Sequence, residues 1–183
     1  SKEYTIEMRR WLSEDAQILH ATAIYRPKDG SPEVRSGMQF EKINESPNPR
    51  PGSTINAGKE VDDIRESTGE ILSKNAPNSL VGIPENFADF SGKWLRTKSE
   101  NYEGWVGAQG GGYLQRKLAA SVRMTHTIHM SGDGRAMSLK EQAGPINTNF
   151  ILHNGAEPQN VELQGKTFKQ SMFYRDNALV IRR

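Results

Sequence analysis

Four histidines are the side chains best suited to proton transfer or metal binding: His20, His126, His129 and His153. A neutral imidazole can give or take a proton near physiological pH and is the commonest metal ligand. His126 and His129 lie on an alternating stretch with opposite parity, so on a strand they face opposite ways and do not share a metal. His126 and His20 are the candidates for an interior position, where an imidazole could hydrogen-bond a ligand or do acid–base work. The ordinary alternative for each is a satisfied or exposed histidine. No carboxylate stands at a spacing that marks a catalytic pair with either. The chain has no cysteine, which excludes disulfides, thiolate metal sites and a cysteine nucleophile. Neither a metal nor a cofactor is expected. Gly107-Ala108-Gln109-Gly110-Gly111-Gly112 follows a helical pattern rather than a strand, so it lacks the context of a dinucleotide loop and reads as a flexible turn. Asn44-Glu45-Ser46 matches a glycosylation sequon, but no secretory signal accompanies it.

A second set of residues suits apolar binding. Met8, Met38, Phe40, Met130, Met137 and Met172 could form a soft, adaptable pocket lining, or simply core. Tyr102, Trp105 and Val106 sit on a short helical pattern and could face a ligand portal, or dock that helix on its neighbours. Arg116, Lys117 and Arg123 could attract an anionic membrane surface in transient contact; a solvated face is the plainer reading. The 24 basic and 22 acidic residues nearly cancel, and aromatics do not interleave with the basic ones, so nucleic acid is not an expected partner. No apolar run is long enough for a bilayer span, and no signal-peptide core opens the chain. The expectation is a soluble, cytoplasmic protein.

The elements that must position these residues are mostly strands. Residues 2–10 alternate Tyr4, Ile6 and Met8 with Thr5, Glu7 and Arg9, the period of a half-buried strand. Residues 16–26 and 34–43 complete a trio, separated by Ser13-Glu14-Asp15 and by the turn Pro27-Lys28-Asp29-Gly30-Ser31-Pro32. Residues 44–56, with Pro47, Pro49 and Pro51, have a linker's composition, and residues 58–74 space Val61, Ile64, Ile71 and Leu72 as one amphipathic helix. Segment 44–88 is too long for a structureless loop, so its helix is expected to pack on the body, or to serve as an attachment arm for a protein partner. Residues 93–98 form a strand and residues 102–109 and 113–121 two short helices. Further strands follow, punctuated by Ser131-Gly132-Asp133-Gly134, His153-Asn154-Gly155 and Asp176-Asn177.

Strand, helix pair, then a run of hairpins resembles the intracellular lipid-binding proteins, a calycin-type family of transport barrels. Phe90-Ser91-Gly92-Lys93-Trp94 is similar to their opening motif, whose aromatic residues plug one end of the barrel. Ser99-Glu100-Asn101-Tyr102 is similar to the entry into their first helix, Arg116-Lys117-Leu118-Ala119 to the second helix, and Asn149-Phe150-Ile151-Leu152 to a middle strand. The resemblance covers residues 88–183 well and 2–42 more loosely. It implies an all-β fold: a ten-stranded antiparallel up-and-down barrel with a two-helix portal lid. Residues 89–183 would supply the first seven strands and residues 2–43 the last three, a circular permutation. An open seven-stranded sheet would leave two bare edges, and joining the pieces removes them. A fragment of a tandem array, pairing between chains, is the competing account.

The family's grip on a carboxylate, two arginines and a tyrosine, maps by this resemblance onto Met8, Met38 and Phe40, all apolar. The resemblance therefore implies a small hydrophobic ligand that is neutral, or whose acid group sits elsewhere. Arg183 falls where the family has a pocket glutamine and is an alternative anchor, an exposed Arg183 being the plainer reading. The leading reading is a non-enzymatic carrier. An enzyme on the same barrel, as in the similar barrel of dinoflagellate luciferases, and an accessory subunit of a larger complex are the alternatives.

Overall fold

The computed structural model describes residues 3–43, 83–84, 86–163 and 166–183. The amphipathic helix expected at 58–74 and nearly all of segment 44–88 lie outside the described residues. Alternating stretches form β1 (Tyr4–Leu12), β2 (Ile18–Pro27) and β3 (Val34–Lys42). Then come β4 (Gly92–Glu100), helices α1 (Tyr102–Ala108) and α2 (Tyr113–Ser121), and strands β5 (Met124–Met130), β6 (Ala136–Ala143), β7 (Ile146–His153), β8 (Gly155–Leu163), β9 (Lys166–Arg175) and β10 (Ala178–Arg182).

All ten strands join one antiparallel sheet in the order β7-β6-β5-β4-β3-β2-β1-β10-β9-β8, a nearly closed barrel. The first three strands stand between β4 and β10. β1 pairs β10 with Met8 opposite Ile181, and the ladder continues as Ile6 and Arg183 exchange backbone hydrogen bonds of 2.8 and 2.7 Å. Among the described residues the one interruption lies between β7 and β8. There the Gln159 amide takes the place of a strand: its Nε2 donates to the His153 carbonyl at 2.6 Å, and its Oε1 accepts from the His153 N–H at 2.9 Å.

Turn chemistry sets the register. Asp176 and Asn177, at φ 50° and 57°, make the two-residue loop between β9 and β10 that the right-handed twist of a hairpin favours. Between the helices, a Cβ on Gly111 would lie 2.6 Å from Val106 Cγ1, so only glycine allows the tight turn there. At the barrel end away from the helices Phe90 and Trp94 are fully buried, and Trp94 Nε1 donates to the Phe90 carbonyl at 2.9 Å. Phe40, Ile128, Met137, Leu139, Leu152 and Met172 fill that end with them.

The outer face of β1 departs from simple polarity. Glu7 is only 2% exposed, beneath Arg182 (2.8 Å), Arg9 (3.0 Å) and Arg26 (3.8 Å). Burial alone would raise its carboxyl, but the hydrogen bonds from Arg182 and Arg9 outweigh it and hold the group below the usual carboxylate range. Among the described residues no helix is long and apolar enough to cross a membrane.

Candidate functional site

Side chains fill one end of the barrel and leave the other hollow. A cavity of about 420 Å³ lies beneath the helices, within the size range of small-molecule pockets. Its apolar wall comes from β1, β2 and β3 (Ile6, Met8, Ala23, Met38), from Phe150 on β7 and from Phe168 on β9. Tyr102 and Trp105 of α1 roof it, their rings stacked at 5.7 Å.

A polar cluster is set into this wall. Alternation along β1 carries Arg10 inward behind Met8, and it is 2% exposed. Its Nη2 lies 3.7 Å from Glu141 Oε1, while Nε and Nη1 have no hydrogen-bond partner among the described residues. Glu141 is opposite His126 in the β5–β6 register, and His126 Nε2 approaches the same carboxylate oxygen at 3.3 Å without forming a hydrogen bond. The His126 ring stacks on Phe40, centroids 4.4 Å apart. Burial keeps that imidazole neutral, pushing its pKa down to about 4; Glu141 opposes the shift, and Arg10 and Arg96 reinforce it. Thr148 Oγ1 donates to the other Glu141 oxygen at 3.4 Å. The cluster thus offers free N–H donors, one carboxylate acceptor and an uncharged imidazole at a single wall.

Two further arginines are committed elsewhere. Arg183 lies over the Phe168 ring at 4.6 Å, and the fully buried Gln170 accepts from its Nε at 2.9 Å and Nη2 at 2.8 Å once its amide is oriented as the network requires. Arg96, on β4, stacks on Tyr102 at 4.7 Å. Its Nη2 shares two N–H groups among the carbonyls of Ala119, Ala120 and Val122 at 3.1, 3.2 and 2.7 Å, while its buried Nη1 has no partner among the described residues. Those carbonyls are the unpaired C-terminal acceptors of α2, so Arg96 fastens the helical lid to the barrel.

Of the residues singled out in the sequence, Met8, Met38, Tyr102, Trp105, His126 and Arg183 line the cavity. Three do not. Phe40 is core behind His126. Val106 faces the α1–α2 turn at Gly111. His20, expected as an interior candidate, is on the outer face, stacked on Trp11 at 5.4 Å, because Leu19, Ala21 and Ala23 are the inward side of β2. Arg183, for which exposure was the plainer reading, is drawn inward by the continued β1–β10 ladder. The methionines divide likewise: Met130, Met137 and Met172 belong to the packed end, whereas Met124, unremarked in the sequence, joins the wall. Sequence reasoning also missed Arg10 and Glu141. The signal for Arg10 was present, since it shares the parity of Ile6 and Met8.

No family model matches the chain. The sodium/calcium exchanger regulatory protein 1 of Doryteuthis pealeii is 29% identical over 93 residues, 51% of this chain and 69% of that protein. Among solved structures, a mutant of the REP1-NXSQ fatty acid transporter is similar at 25% identity with a TM-score of 0.44, covering 50% of this chain and 68% of that one.

Proposed function

We propose that this chain binds and carries a small hydrophobic molecule in the barrel cavity, without reacting with it, the polar end of the cargo meeting Arg10, His126 and Glu141. The observation that carries the reading is a largely apolar chamber with a buried arginine whose Nε and Nη1 lack partners among the described residues. Such donors are costly to leave unmade and are satisfied by a guest. Burying about 400 Å² of apolar cargo would contribute on the order of 10 kcal/mol before the costs of association. Exposed Tyr113, Leu114 and Leu118 on α2, beside Lys117, support transient docking of the lid on an anionic membrane during loading. The β1–β10 ladder supports reading the strand order as a circular permutation of the lipid-binding barrel, with 2–43 and 89–183 as parts of one domain and 44–88 joining them. The cytoplasmic placement read from the sequence belongs to the same proposal. Native mass spectrometry of the purified chain, followed by denaturing extraction, tests it. A monomer releasing a defined apolar molecule is expected; a ligand-free dimer would overturn it in favour of strand exchange between chains and an accessory structural role.

One observation favours an enzyme instead: His126 and Glu141 meet at 3.3 Å inside an apolar chamber. On that reading His126→Ala would retain ligand binding and lose chemical conversion of the extracted cargo. On the carrier reading the cargo is recovered unchanged from both proteins.

A further inference from the structure

The charges around the cavity suit some head groups and oppose others. We infer that the polar cluster selects a neutral head group that both accepts and donates hydrogen bonds, such as a primary amide or an alcohol, over a carboxylate. This deepens the carrier reading and rests on it.

Among the described residues lining the cavity, Arg10 is the arginine with unclaimed donors, and its charge is already opposed by Glu141 at 3.7 Å. Its free Nε and Nη1 therefore call for an acceptor, not for an anion. Glu141 has acceptor capacity to spare, since one oxygen takes only the Thr148 hydroxyl at 3.4 Å and the other makes no hydrogen bond to His126. It calls for a donor. A guest carboxylate reaching Arg10 would stand beside Glu141, two like charges at one wall of the cavity. His126 brings no compensating charge, because burial keeps it neutral. Among the described residues the other nearby cations offer no second seat: Arg183 is held by Gln170 and Phe168, and Arg96, although its Nη1 is unpaired, is tied through Nη2 to the carbonyls that end α2 and does not line the cavity. An amide oxygen on Arg10 with its N–H on Glu141, or a hydroxyl serving both, gives the arginine an acceptor and the carboxylate a donor at once.

The test is displacement of Nile red, itself uncharged, from the full chain at neutral pH by decanamide, decanol and decanoate. At least one neutral head should displace the dye at about tenfold lower concentration than decanoate. Glu141→Gln should erase that gap by strengthening decanoate about tenfold, with smaller changes for the neutral heads. Decanoate matching or beating both neutral molecules on the wild-type chain would overturn the inference, as would an unchanged ranking in a Glu141→Gln variant that still takes up the dye. If that variant fails to fold, the wild-type ranking alone decides. Failure of Nile red itself to bind saturably would count against the carrier reading rather than against the head-group preference.

Discussion

An imidazole buried as deeply as that of His126 makes stability depend on pH. Its pKa is about 4 in the fold, against 6.5 for the free side chain. Above 6.5 both states are neutral. Between 6.5 and 4 the unfolded chain takes up the proton first, so stability falls as pH falls, by on the order of 3 kcal/mol in all. Denaturation of wild type and His126→Phe across this window should show the slope in the first and a flatter profile in the second. Arg10 makes a different demand. A cation 2% exposed with a loose 3.7 Å partner is held at a stability cost, so Arg10→Met should raise stability by about 1–3 kcal/mol, read as a higher thermal midpoint. The same variant should weaken binding of polar-headed cargo relative to an alkane, which titration of matched ligands would measure. Both residues were partly legible in the chain. His126 stood among inward-facing Met124 and Ile128. Arg10 was hidden because strand β1 was expected to end at it, whereas the strand runs on to Leu12.

Strands and helices were far easier to read than the side chains they aim. Period-two alternation and turn residues placed the first four strands and both helices within a few residues, and three of the turns among the later strands, because each is dictated locally. The inward face of β2 was not, since Ile18 and Ile24 make its outer side as apolar as Leu19 and Ala21 make the inner. Only pairing with β1, where Glu7 and its arginines cover Ile24, separates the two. Local strain is open to the same kind of test. Ala16 sits in the turn before β2 at φ 54°, where a Cβ is disfavoured, so Ala16→Gly should stabilise by about 1 kcal/mol in chemical denaturation. On α2, Leu114 and Leu118 are 77% and 58% exposed and touch little. Replacing both with Ser should leave stability within about 0.5 kcal/mol while slowing transfer of a fluorescent ligand to anionic vesicles.

At the scale of the whole molecule, residues near the two ends of the chain are hydrogen-bonded neighbours, and the long segment between β3 and β4 spans strands that already pair. Pieces 1–43 and 83–183, expressed together, should therefore associate through the β1–β10 and β3–β4 ladders and co-purify; recovery of the larger piece alone as aggregate would speak against those ladders as the main source of cohesion. The gap between β7 and β8 gives the barrel another property. Among the described residues nine neighbouring strand pairs are fastened by rows of backbone bonds, while this one is fastened by the side-chain amide of Gln159. Parting the wall along this line breaks two side-chain hydrogen bonds, whereas parting it along any of the nine ladders breaks a row of backbone ones, so the girth of the chamber is least fixed here. The barrel can thus be firm around most of its wall and yielding along a single line.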